Sequence, residues 1–211
     1  EARDADGRPL VRVNGLVNVF FHVPHRFYKV RRDPLAGWLG APVQGAAQPL
    51  LWQLDHLGDD FCSQSNSIFL RILAHAVLSF EERDEWRGLA NASVGQRRQW
   101  LLGRLALKEA VRHAIHARHD HLLYPSDIVV RHDPHGAPFI DGWWAEQGLD
   151  VPRVSLTHNP AFAIAAVSYG GAPIGVDAEV VGRVQHPDWL VAAFTPAEQA
   201  WLAGRAAAER D

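Results

Sequence analysis

The run VGQRRQWLLGRLALKEAVRHAIHARH, residues 94–119, constrains the fold most. Its apolar residues recur at helical spacing, which predicts one long helix. Placed at 100° intervals, Arg97, Arg104, Lys108 and Arg112 share an arc of roughly 80°. Trp100, Leu107, Val111 and Ile115 lie inside that arc or on one flank, and Leu101 and Leu105 on the other. Gly103, Ala106 and Ala110 form a small-residue face opposite. Charges within a bulky apolar face have two readings. Long basic side chains can snorkel past apolar neighbours to water. Alternatively, the stripe borders a cleft and meets an anion such as a phosphate. His113, His116, His119 and His121 follow; cationic groups suit a helix C-terminus, and no cysteine or acid completes a metal site there.

Around this helix the chain divides into three zones. Residues 1–38 read as β-rich: a turn at Asp6-Gly7 precedes Leu10, Val11 and Val13, and VNVFFHVP reads as a second strand. Residues 39–67 read as a linker, because Gly, Pro, Ala and Gln dominate GAPVQGAAQPL and GDDFCSQSNS has no period. Residues 68–211 read as an α/β (α+β) domain. Ser79 stands three residues before Glu82, the spacing of a capping box. SDIVVRHDPHGAPFI predicts two strands around an Asp133-Pro134-His135-Gly136 turn. VPRVSLTHN and AFAIAAVSYGGAPIGVDAEVV predict three more, with 161–167 apolar enough to be buried on both faces. DWLVAAFTPAEQAWL reads as helical, with a fresh start at Thr195-Pro196.

Composition narrows the function classes. The net charge of −3 gives no global basic field for nucleic acid. A lone cysteine, Cys62, excludes a disulfide framework within the chain and points to a reducing, cytoplasmic setting. No apolar run reaches the ~20 residues of a membrane span. The absence of methionine, even at position 1, reads as a piece cut from a longer polypeptide.

PIGVDAEVV, residues 173–181, places Asp177 and Glu179 two positions apart in an apolar stretch. On a strand they would project from one face, about 6.5–7 Å apart at the backbone. Ionised side by side they repel, and a divalent cation removes the conflict. Mg²⁺ suits the pair, since it often takes one or two carboxylates and completes its shell with water and phosphate oxygens. Two solvated acids at a strand end are the alternative. His158 ends the preceding strand segment, where it can contact a phosphate, carry a proton, or bond the backbone of its own turn.

Four segments in this order, RRQWLLGRLALKEAVR (97–112), HGAPFI (135–140), VSLTHN (154–159) and PIGVDAE (173–179), resemble the surfactin-type phosphopantetheinyl transferase superfamily. The resemblance covers residues 78–202. The helix looks most like transferase domains fused to the end of iterative polyketide synthases. GLVNVFFHVPHRFYKVRRDP is similar to the last strands of a double hot-dog dehydratase region. The resemblance implies a transferase-like half, with a small, mostly antiparallel sheet packed on a long helix after a short β-rich remnant. It implies transfer of 4′-phosphopantetheine from coenzyme A to a serine of an acyl-carrier protein, with Mg²⁺. Asp177 and Glu179 would be catalytic metal ligands. His158, with Thr157, would contact coenzyme A phosphate. Arg98, with Arg97 or Arg104, would hold its 3′-phosphate.

This sequence departs from the family pattern. Thr157 replaces the usual serine, Ala137 the lysine of a Gly-Lys-Pro turn, and Ala178 the common isoleucine. Glu82 and Glu85 stand where the family often has lysines. FTPAEQAWLAGRAAAERD lacks the Trp-x-x-Lys-Glu-Ala helix that supplies a third carboxylate and a lysine. The expectation is therefore the front half of a transferase domain, inactive alone. A non-catalytic docking module of a polyketide synthase is the alternative. A hot-dog dehydratase or thioesterase would rest on residues 1–38 alone, where the catalytic His and Asp of that class are not recognisable.

Overall fold

The computed structural model describes residues 2–11, 39–44, 49–55, 68–180, 191–192 and 194–204. A small hairpin comes first. Strands β1 (Ala2–Arg3) and β2 (Pro9–Val11) pair antiparallel around Gly7, whose φ of +79° the turn requires. The expected second strand, VNVFFHVP, lies outside the described residues.

The main sheet is β3 (Ala41–Pro42), β4 (Leu50–Asp55), β8 (Phe162–Ser168) and β7 (Arg153–His158), in that spatial order and antiparallel throughout. The expected linker is corrected here, because two of these strands come from residues 39–67. Trp52 and Leu54 are buried, and Trp52 Nε1 donates to the Leu39 carbonyl at 2.8 Å. The surrounding Gly, Pro and Ala hid a period-2 signal in LLWQLD. A second hairpin, β5 (Val129–His132) and β6 (Pro138–Asp141), turns as expected at Asp133 to Gly136. Asp133 Oδ1 accepts from the His135 and Ala137 amides there.

Helix α1 (Ile68–Val77) buries Leu70, Leu73, Ala74 and Val77, one stripe at helical spacing. Helix α2 (Glu82–Gly88) follows the expected capping box: the Ser79 amide donates to Glu82 Oε2 at 2.8 Å and the Glu82 amide to Ser79 Oγ at 3.2 Å. Helix α3 (Val94–His119) has the predicted bounds. A reciprocal Ser93–Gln96 box opens it, and Asp120, at φ +52°, closes it. Helix α4 (Pro196–Ala203) starts at the expected Thr195-Pro196.

One side of α3 packs on β4, β8 and β7. The side carrying the basic stripe is covered as well, so Arg104, Lys108 and Arg112 are all buried. Each holds a carbonyl of a covering segment. Arg104 donates to Val130 O at 2.5 Å, Lys108 to Val77 O and Pro125 O at 3.0 Å each, and Arg112 to Leu123 O at 2.7 Å. Carboxylates balance them. Lys108 pairs with Glu82, Arg104 with Glu85 at 2.7 Å, and Arg112 with Glu109. Glu109 also accepts the Leu39 amide at 2.9 Å, which fastens the residues before β3 to the helix. Arg104, Lys108 and Arg112 therefore neither snorkel nor border a cleft; they form the polar centre of the fold, while Arg97 is half-buried.

Candidate functional site

Among the described residues β7 is an edge strand, and the expected site residues gather along it. The sequence predicts a strand over the acidic segment, but residues 173–180 lie beside β7 without a ladder. Side chains hold them instead. The Val176 amide donates to Ser155 Oγ at 3.1 Å, and Thr157 Oγ1 donates to Asp177 Oδ1 at 3.1 Å. Exposure still alternates: Ile174, Val176 and Ala178 are half-buried, while Gly175, Asp177 and Glu179 face outward. The two acids thus share the exposed side, as the spacing implies. Asp177 Oδ1 also accepts the Ala178 amide at 2.9 Å.

His158 points the other way. Leu156 and His158 lie against Gly103 of α3, whereas Ser155 and Thr157 face the acidic segment. Alternation along a strand imposes this split. The imidazole is packed against the helix on one side, and burial holds its pKa below the ordinary value, against the opposing pull of a backbone hydrogen bond. Burial thus favours the neutral ring. Beyond His158 the chain turns on Asn159, whose Oδ1 accepts the Ala161 and Phe162 amides at 2.8 and 3.1 Å. Arg98 reaches this turn and donates to Pro160 O at 3.4 Å.

Thr157, His158, Asp177, Glu179 and Arg98 are thus grouped around the end of β7. Arg97 and Arg104 are not among them. The Arg97 guanidinium stacks on Trp86 of α2 at 4.2 Å. The expected phosphate contact of Arg104 is corrected, because its guanidinium is buried between Val130 O and Glu85 and lies over Trp100. Ser155 and Gly103 join the site unforeseen. Ser155 shares a strand face with Thr157, the one sequence signal that marks it.

Two outward carboxylates suit Mg²⁺, whose remaining positions water and a ligand's phosphate oxygens can fill. Among the described residues no group of three or more His, Cys, Asp or Glu is placed to hold a metal ion. The donor set fits a metal that arrives with a phosphate ligand. A ligand touching both Asp177 and His158 must pass over the end of β7. Among the described residues, no helix is long and apolar enough to cross a membrane.

No protein-family model matches this chain, and no curated protein matches it. Among solved structures it is similar to a holo-(acyl-carrier-protein) synthase from Bacillus anthracis in complex with coenzyme A (3′,5′-ADP). Identity is 20%, the match covers 56% of this chain and 90% of that one, and the TM-score is 0.40. The corresponding enzyme of Helicobacter pylori in complex with coenzyme A matches at 20% identity, 56% and 96% coverage and a TM-score of 0.40. That of Neisseria meningitidis matches at 19%, 56% and 92%, and 0.38. Likenesses at this level do not assign an activity.

Proposed function

We propose that the protein binds coenzyme A together with Mg²⁺ and serves 4′-phosphopantetheine transfer to a serine of an acyl-carrier protein in a polyketide synthase. The hydrogen bond from Thr157 to Asp177 carries this reading. It joins the Thr-His strand end to the Asp-x-Glu segment, two motifs whose order in the sequence first suggested the chemistry.

In the reaction the carrier serine oxygen bonds to the β-phosphorus of coenzyme A. The bond from that phosphorus to the bridging oxygen breaks, adenosine 3′,5′-bisphosphate leaves with the electron pair, and the serine proton passes to solvent. Asp177 and Glu179 would hold Mg²⁺, which when bound neutralises charge on the phosphoryl oxygens. Arg98 would supply a cation for a phosphate at the 158–160 turn. His158 would donate a ring N–H to a phosphate oxygen. Thr157 holds Asp177 and leaves its carboxylate facing outward.

Isothermal titration of the chain with coenzyme A, with and without Mg²⁺, tests the binding. Mass spectrometry of an apo carrier protein tests the transfer. Magnesium-dependent binding is expected; heat-silent titrations in both conditions would remove the reading. A docking module without catalysis is the second reading, favoured by the absence of a third acid beside Asp177 and Glu179 among the described residues. It predicts association with the carrier protein and no affinity for coenzyme A.

A further inference from the structure

Gly103 sits in the middle of the 26-residue helix α3, where glycine is the poorest helix former after proline. It is not among the residues with positive φ, so backbone geometry does not call for glycine there. Space does. A Cβ on Gly103 would lie 2.9 Å from Cδ2 and 3.6 Å from Cγ of His158, and 3.1 Å from Cδ2 of Leu156. Both neighbours are side chains of β7, and neither is backbone. An added methyl would therefore displace the imidazole before it displaced the strand. His158 is exposed on its outer side, so the ring has somewhere to go.

We propose that Gly103 is a positioning residue for His158: its missing side chain lets the imidazole lie against α3, in a fixed orientation at the end of β7. The role of that orientation in binding rests on the coenzyme A reading above; the packing does not. The lowered His158 pKa agrees with a ring held against the helix, since burial is its leading cause.

The test uses the whole chain and Gly103→Ala. Nuclear magnetic resonance titration of the imidazole, assigned by the signal missing from His158→Gln, reads the ring directly. The His158 midpoint should rise toward the ordinary 6.5 as the ring swings into water, with the thermal unfolding midpoint nearly unchanged. An unshifted midpoint in folded Gly103→Ala overturns the proposal. Should that variant not fold, Gly103→Ala with Leu156→Ala relieves the second contact and takes the same titration with the same two outcomes. Coenzyme A affinity should fall about tenfold in Gly103→Ala, the loss of one well-placed polar contact. It should fall no further when Gly103→Ala is added to His158→Ala; additive losses overturn action through His158. If the wild-type chain does not bind coenzyme A, that reading fails by itself, and the titration still decides whether Gly103 positions the ring.

Discussion

Thr157 Oγ1 donates to Asp177 Oδ1 at 3.1 Å, across 20 residues of chain. Two positions earlier on the same strand face, Ser155 accepts the Val176 amide. These hydroxyl contacts hold the acidic segment against an edge strand that has no backbone ladder to it. Thr157→Val keeps the shape and removes the hydroxyl, and Thr157→Ser restores it. Magnesium-dependent affinity for coenzyme A should drop about tenfold in the first and stay near wild type in the second. Calorimetric titration measures both, and equal affinities would remove Thr157 from the site.

Arg98 and Arg104 should behave oppositely on truncation. Among the described residues Arg98 reaches a turn carbonyl at 3.4 Å, so Arg98→Ala should leave the unfolding midpoint unchanged and weaken coenzyme A binding. Arg104 is buried between Val130 O, Glu82 and Glu85, so Arg104→Ala should destabilise the protein by about 3 kcal/mol or more. Denaturant unfolding beside ligand titration separates the two effects.

Lys108 and Glu82 form a fully buried pair. Burial pulls the Lys108 pKa down to about 8 despite the carboxylate. Removing Lys108 leaves Glu82 facing the Arg104 guanidinium at the longer distance of 3.8 Å, so Lys108→Met should cost about 3 kcal/mol. Glu82→Gln added to it should restore part of that loss, because the weakly paired buried carboxylate disappears. A urea double-mutant cycle reads the coupling, and strictly additive losses would count against the pair.

Stability should also report on His158. Its folded-state pKa lies below the ordinary 6.5 of the unfolded chain. Between these two values the unfolded chain binds more protons. Stability is therefore full above 6.5 and falls as the pH drops from 6.5 to the folded pKa, with no further loss below it. His158→Gln should lose less stability than wild type across that window. Parallel pH dependence of the two proteins in denaturant titrations would contradict the packing of the ring against α3.

Strand β4 should prove integral to the domain. Trp52 is buried, and its indole nitrogen bonds Leu39 O. Trp52→Ala should cost about 3–5 kcal/mol by opening a large cavity. A stability change below ~1 kcal/mol would mean that residues 50–55 contribute little to the core.

Local signals were legible where the chain alone sets them. Helix α3, the capping box at Ser79, the helix start at Thr195-Pro196, the Asp133–Gly136 turn and strands β7 and β8 follow from period, caps and turn chemistry. The outward alternation of Asp177 and Glu179 followed too, since it needs only extended backbone. The partners of those elements were not legible. Glu82 and Glu85 read as departures from a family pattern, yet they are the counter-charges of Lys108 and Arg104. Nothing in the spacing of one helix says what will cover its second face.

By itself, then, the sequence determined α3, the caps and turns, strands β5 to β8 and the residue types at the end of β7. These depend on contacts within a few positions. Only the tertiary structure decided that three basic residues of α3 turn inward to hold the carbonyls of Val130, Val77, Pro125 and Leu123. It alone decided that Thr157 faces Asp177 while His158 rests on Gly103. Burial and pairing of this kind are set by which distant segments meet, and a charge takes its role from the groups that surround it after folding.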